Sequence, residues 1–263
     1  IDLFPIIGAG SSVGFAIWGA ATGDTSGMSV GAAGDVNGDG ICDVIVGANQ
    51  ADPIVNSVMR INAGTAYIIF GRSVASGSSS YSNVDLLPLL TVASTLGIAL
   101  IGANPGDYTG YACGGAGDVN GDGMSDVIVG AHLADRVAAG ITDLDAGIAY
   151  IVFGRQTASG AAVNIDLAAY LNGFRILGVA TNDFLGYSVG AAGDVNKDGV
   201  DDVIVSGVLT DSAFGVDSGV SYVIYGSIAH PTSQPSSQPS VHPSSQPSRQ
   251  PSSQPTIQPQ SRP

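Results

Sequence analysis

The chain has 263 residues, room for one large or two ordinary domains, and 44% of them are apolar, ample for a core. Its 22 acidic residues, all Asp, face one Lys and seven Arg, and the net charge of -14 repels nucleic-acid phosphates and anionic lipid, which excludes both as expected partners. Asp and the 38 Gly favour turns and disfavour helix interiors, which points to an all-β protein. Two Cys in this length are no disulfide framework, and the sequence leaves open whether Cys42 and Cys113 pair. The first residue is Ile1 rather than Met, as in a processed chain or a fragment, so a signal peptide cannot be sought.

Three units follow one another, 1–83, 84–164 and 165–229, with a separate segment at 230–263. Each unit opens on a short marker: Ile1-Asp2-Leu3, Val84-Asp85-Leu86 or Ile165-Asp166-Leu167. A strand is expected next, GFAIWGA from Gly14, GIALIGA from Gly97 and GFRILGV from Gly173. A turn with Asp24, Asp107 or Asp183 follows, and then GMSVGAAGDV, GYACGGAGDV or GYSVGAAGDV runs into a loop. Out of that loop comes a buried strand of the DVIVGA type, then a polar connection with Asp52, Asp135 or Asp211. GTAYIIFGR, GIAYIVFGR and GVSYVIYGS end the units, with Tyr67, Tyr150 and Tyr222 at matching core positions. Four strands joined in sequence make one up-and-down sheet per unit. Repeats of this size, a sheet each, mean a propeller or an array, because one sheet cannot bury both its faces alone.

The loop is the most informative stretch. Asp35, Asn37, Asp39 and Asp43 recur as Asp118, Asn120, Asp122 and Asp126, and again as Asp194, Asn196, Asp198 and Asp202. Oxygens at positions 1, 3, 5 and 9 can converge when the backbone coils tightly, and the Gly after the third oxygen permits that coil. Hard oxygen ligands on a flexible loop suit Ca2+ better than Mg2+, which demands stricter geometry. An EF-hand does not fit: position 12 is Val46, Val129 or Val205, the chain contains no Glu, and a strand follows instead of a helix. Asx-turns in a hairpin loop are the plainer alternative, and three copies of the same four oxygens weigh against it. Six Asp columns account for 18 of the 22 Asp; three belong to this loop and the others read as turn caps.

Eighteen uncharged residues, Leu86 to Ala103, are long enough to suggest a membrane span, but the third unit's counterpart carries Arg175, so a strand is expected. Connectors at 73–83 and 156–164 read as exposed loops. From Pro231 every fourth residue is Pro with Ser and Gln between, an extended and disordered spacer without apolar periodicity.

LGYSVGAAGDVNKDGVDDVIVSG followed by GVSYVIYG resembles the FG-GAP repeat of integrin α-subunit propellers, and the resemblance runs in three copies from Ile1 to about Ser227. It implies β-propeller blades, here three of an expected seven, with one Ca2+ in each loop. The resemblance adds the backbone carbonyls of Ile41, Met124 and Val200 to the four side chains of each loop. It further implies an extracellular or cell-surface adhesion module that binds a protein or glycan ligand, with further blades in the full-length chain. The GAP triplet departs from the pattern, reading Gly47-Ala48-Asn49, Gly130-Ala131-His132 and Gly207-Val208-Leu209.

No catalytic residue is expected. Gly27 to Gly31 and Gly186 to Gly190 spell G-x-S-x-G, but a nucleophile elbow needs a strand-to-helix turn, and here a loop and another strand follow. His132 reads as a loop residue. Two alternatives remain: the non-catalytic propeller portion of a hydrolase resembling glycosylphosphatidylinositol-specific phospholipase D, or a purely structural wall or matrix repeat.

Overall fold

The β-branched runs that read as strands are strands. The structure is a computed structural model that describes residues 14–73, 82–91, 94–138, 140–156, 163–169 and 172–227. These all lie in the first of two compact units, residues 1–229, and the second comprises residues 230–263. The Ile1-Asp2-Leu3 marker, most of the two connectors and the Pro/Ser/Gln segment lie outside the described residues.

Three antiparallel sheets form the body. The first contains Ser29–Gly34, Asp43–Ala48, Thr65–Ile69 and Gly97–Ile101. The second contains Ala112–Gly117, Asp126–Ala131, Ile148–Val152 and Gly173–Leu177. The third has Leu185–Gly193, Asp202–Gly207 and Val220–Ile224. The expectation that a unit's four strands share one sheet is corrected here. The first strands of the second and third units complete the sheet of the unit before, pairing Ile69 with Gly97 and Thr65 with Ile101, and likewise Val152 with Gly173. Periodicity shows that a strand exists but not which edge it joins. An antiparallel edge left open by the last strand of one unit is filled by the next strand in sequence.

The markers become short parallel edge strands, Val84–Asp85 beside Ile17–Trp18 and Ile165–Asp166 beside Leu100–Ile101. Within Leu86 to Ala103 a short helix, Leu87–Thr91, precedes the Gly97–Ile101 strand. No helix among the described residues is long and apolar enough to cross a membrane.

The core lies between sheets stacked face to face. Ile45, Ile68 and Leu100 of the first sheet pack against Val127, Val129 and Tyr150 of the second. Alternate residues of the second, Ile128 and Ile151, pack against Val203 and Val205 of the third. The second sheet is therefore covered on both faces, which is why Asp126–Ala131 is buried throughout and reads as a continuous apolar run. Tyr67 and Tyr150 are fully buried as expected, whereas Tyr222, in the sheet that lacks a following neighbour, is half-buried.

Candidate metal centres

Each loop sits between the first two strands of its sheet and leaves the first strand through a bulge. Gly117 pairs with Asp126 but Gly115 with Val127, so Ala116 is the extra residue, and Gly34 and Gly193 repeat the irregularity. These glycines have φ of 75°, 80° and 69°, the left-handed region that glycine tolerates best. The bulge turns the chain out of the ladder and into the coil.

The three coils share one hydrogen-bond pattern. The Asp35 carboxylate accepts from Asp39 N at 3.0 Å and Gly40 N at 2.8 Å. Asn37 accepts from Asp39 N at 3.0 Å and donates its amide to Asp39 at 2.9 Å, and Ile41 N donates to Asp39 at 2.8 Å. Asp43 accepts from Val36 N at 2.9 Å and from Gly71 N at 2.7 Å, which ties the loop to the end of the third strand. Asp118, Asn120, Asp122, Met124 and Asp126 repeat this set in the second loop, with Gly154 in the place of Gly71. Asp194, Asn196, Asp198, Val200 and Asp202 repeat it in the third, with Gly226 there. All fifteen positions singled out in the sequence thus fall in three equivalent coils.

The donor chemistry fits a hard cation. Asp43, Asp126 and Asp202 are buried at the base of the coils, while Asp39, Asp122 and Asp198 lie at the exposed turn. Burial pushes the Asp43 carboxyl above its ordinary value, and the Asp39 and Asp35 charges push the same way, against the hydrogen bonds from Gly71 and Val36. Asp126 is raised to about 6 by burial, with Asp122 and Asp118 adding to it and the Gly154 and Val119 hydrogen bonds opposing. The charged neighbours of both are therefore carboxylates of their own loops, the situation a divalent cation relieves. Among the described residues no three His, Cys or Asp side chains already converge as a cage. The carboxylates are turned to backbone N–H groups, and binding requires them to exchange some of these bonds for the ion.

The other Asp columns are turn caps, as their spacing suggested. Asp24, Asp107 and Asp183 accept from the backbone N of Ala21, Asn104 and Ala180, and Asp52, Asp135 and Asp211 from that of Asn62, Asp145 and Asp217. One position escaped the sequence reading. Asp118 N donates to the Asp201 carboxylate at 2.9 Å and Asp201 N donates back to Asp118 O at 3.0 Å, so the eighth residue of one loop clamps the first residue of the loop before it. Cys42, Ser125 and Asp201 occupy that position, with no shared chemistry to reveal it.

His132 is the turn residue that follows Asp126–Ala131, as expected, and it is buried. It is 8% exposed, and its ring lies 4.1 Å from that of Tyr111 and 5.3 Å from that of Tyr187, whose hydroxyls are joined at 2.9 Å. Burial lowers its pKa to about 4, so it is neutral at physiological pH. Ser29 and Ser188 lie inside strands that continue past them, without the strand-to-helix turn of a nucleophile elbow. Cys42 and Cys113 are both free thiols.

Residues 26–69, which hold the first coil and the strands on either side of it, match the FG-GAP repeat family model. Residues 229–263 match the PT disordered repeat. Integrin alpha-M of Mus musculus is 35% identical over 102 residues, covering 38% of this chain and 7% of that protein. The chain therefore carries an FG-GAP repeat at residues 26–69 and is similar to an integrin α subunit over 102 residues, and it spans a small part of the length of the curated relative it matches.

Proposed function

We propose that this chain is a Ca2+-binding, non-catalytic, integrin-like module that acts outside the cell or on its surface, binding a protein or glycan ligand in adhesion or matrix contact. The observation that carries the metal reading is the identity of the three coils: the same four oxygens, the same hydrogen bonds and the same bulge at three separate places. A bound Ca2+ would supply positive charge among carboxylates that otherwise repel one another. The chain's own residues do the rest. Asp43, Asp126 and Asp202 anchor each coil to its sheet, and the Ser125 and Asp201 clamps join one coil to the next, so order gained in one loop passes to its neighbour.

The adhesion part of the reading is supported by the integrin α likeness and by a strongly acidic surface unsuited to nucleic acid. Calorimetric Ca2+ titration of the full chain should show three sites with dissociation constants of about 10⁻⁴ to 10⁻³ M, the range of extracellular modules. A melting temperature indifferent to millimolar Ca2+ would remove the metal. Protein and glycan arrays probed with the Ca2+-loaded chain test the ligand, and a blank result on both would favour a purely structural repeat.

A further inference from the structure

We propose that Tyr111 and Tyr187 form a site of oxidative cross-linking, at which a haem peroxidase with hydrogen peroxide joins the two phenol rings and ties the second sheet to the third. Tyr111 immediately precedes the strand Ala112–Gly117, and Tyr187 lies within Leu185–Gly193. Tyr111 donates its hydroxyl to that of Tyr187 at 2.9 Å. The ring centroids are 4.9 Å apart at 49°, inside the contact range of packed aromatic rings. Tyr187 is 39% exposed and Tyr111 half-buried, so the pair is open to a one-electron oxidant.

Backbone contacts fix the pair. Phe184 N donates to Asp145 O at 3.2 Å and Leu185 N to Ala146 O at 3.0 Å, which sews the start of the third unit onto the second. Tyr111 N closes a turn onto Tyr108 O and Tyr187 N onto Phe184 O, both at 3.2 Å. A Cβ built on Gly130 would strike the Gly186 carbonyl, so the two backbones touch beside Tyr187. His132 packs against both phenols, its ring 4.1 Å from that of Tyr111 and 5.3 Å from that of Tyr187. Its Nδ1 has no hydrogen-bond partner, so it holds the pair by ring contact and does not compete for either hydroxyl. The fold does not demand this arrangement. In the first unit Met28 stands at the position of Tyr111 and Tyr187, and Asn49 at that of His132. Among the described residues no other two Tyr rings are in contact: Tyr67 and Tyr150 are buried, and Tyr225 is 61% exposed without a Tyr neighbour.

The chemistry balances with peroxide as the oxidant. Each phenol gives up one electron and its hydroxyl proton and becomes a tyrosyl radical. The unpaired electron is shared with the Cε carbons, each one ring bond from the Cζ that bears the oxygen. Pairing the two electrons forms one Cε–Cε bond, and the hydrogens on those carbons move to the oxygens and restore both phenols. Two electrons and two protons leave, and with them one hydrogen peroxide becomes two waters. Rings already held in contact make the coupling step unimolecular, which favours it over links between copies. Cys42 and Cys113 do not pair, so the new bond would tie the sheets where no disulfide does. Closing a loop between residues 76 apart restricts the unfolded chain as a disulfide would.

The pair lies at the strand ends remote from the candidate metal loops, so the test needs no bound Ca2+. The full chain, kept dilute, is treated with a haem peroxidase and hydrogen peroxide. Biphenol fluorescence should appear in a species that stays at the 26.2 kDa of one copy, less two hydrogen atoms. Peptide mapping should find Tyr111 joined to Tyr187, and the product should melt above the untreated chain. Tyr111→Phe and Tyr187→Phe keep the rings without the hydroxyls, and each should abolish the intrachain product. Mapping of the wild-type product needs neither variant, so it decides the question even if one of them misfolds. Links formed only between copies, for instance through Tyr225, overturn the proposal. So does an intrachain product that survives in Tyr187→Phe, or the absence of any biphenol.

Discussion

Asp35 and Ser125, ninety residues apart, hold each other twice: Asp35 N donates to Ser125 Oγ at 3.1 Å, and Ser125 N donates to the Asp35 carbonyl at 2.9 Å. Arg155 N adds a bond to Val36 O at 2.9 Å, so the first loop is gripped by the second unit at two successive residues. The candidate metal loops are therefore parts of the contact between units as well as local coils.

The clamp predicts a modest and specific loss. Ser125→Ala leaves Asp35 N without its side-chain acceptor but keeps the backbone half of the pair. It should cost about 1 kcal/mol in a denaturant melt, the ordinary net value of one hydrogen bond. Ser125→Asp, which copies the Asp201 arrangement, should recover most of that. Equal stability of wild type and Ser125→Ala would show that the side-chain bond adds nothing.

The loops predict a countable change in metal binding. Asp122→Ala removes an acceptor of Met124 N and of the Asn120 amide, as well as one of the oxygens offered to the ion. Without Ca2+ the loss should stay near 1 kcal/mol. With Ca2+ in excess, calorimetry should count two sites instead of three, and part of the Ca2+-induced rise in melting temperature should vanish. Three sites retained in the variant would mean that position 5 is not a ligand.

Asp107 predicts a pH effect with a definite sign. Burial raises its carboxyl to about 6, with Asp135 adding to the shift, while hydrogen bonds from Asn104 and the Arg60 charge oppose it. A folded-state value above the unfolded one means that its contribution is full below about pH 4 and is lost as pH rises through about 6. Asp107→Asn keeps an oxygen for Asn104 N without the charge. It should match the wild type near pH 4 and exceed it by about 2 kcal/mol at pH 7.5. A difference independent of pH would contradict the assignment.

Arg60 and Asp166 predict coupling across 106 residues. The guanidinium meets the carboxylate at 2.6 and 2.9 Å and also donates to Gly102 O at 2.8 Å. Burial alone would raise Asp166, but the Arg60 hydrogen bonds and charge, with help from Ala168 N, leave it below its ordinary value. That stabilisation is present above about pH 4 and is lost as pH falls through the depressed folded-state value. A double-mutant cycle with Arg60→Ala and Asp166→Ala at pH 7 should give a coupling of about 1–2 kcal/mol, more than an exposed pair provides. Coupling indistinguishable from zero would reduce this contact to an ordinary surface pair.

The sequence by itself determined the local pieces. Alternate oxygens with a Gly after the third specify the coil, because neighbouring Asp and Asn side chains satisfy backbone N–H groups only a few residues away. Runs such as Val44-Ile45-Val46 specify strands through β-branching, and the remaining Asp columns specify turn caps within about ten residues. Tertiary structure alone decided the partners. Gly97–Ile101 joins the sheet of the preceding unit because an open edge accepts any strand of suitable length, and nothing in its own residues names that edge. Only chain reversal brings Ser125 to Asp35, Asp166 to Arg60 and the Tyr111 ring onto His132. Such contacts depend on how one twisted sheet stacks on the next, a sum over many side chains at long sequence separation, and no single stretch of sequence carries it.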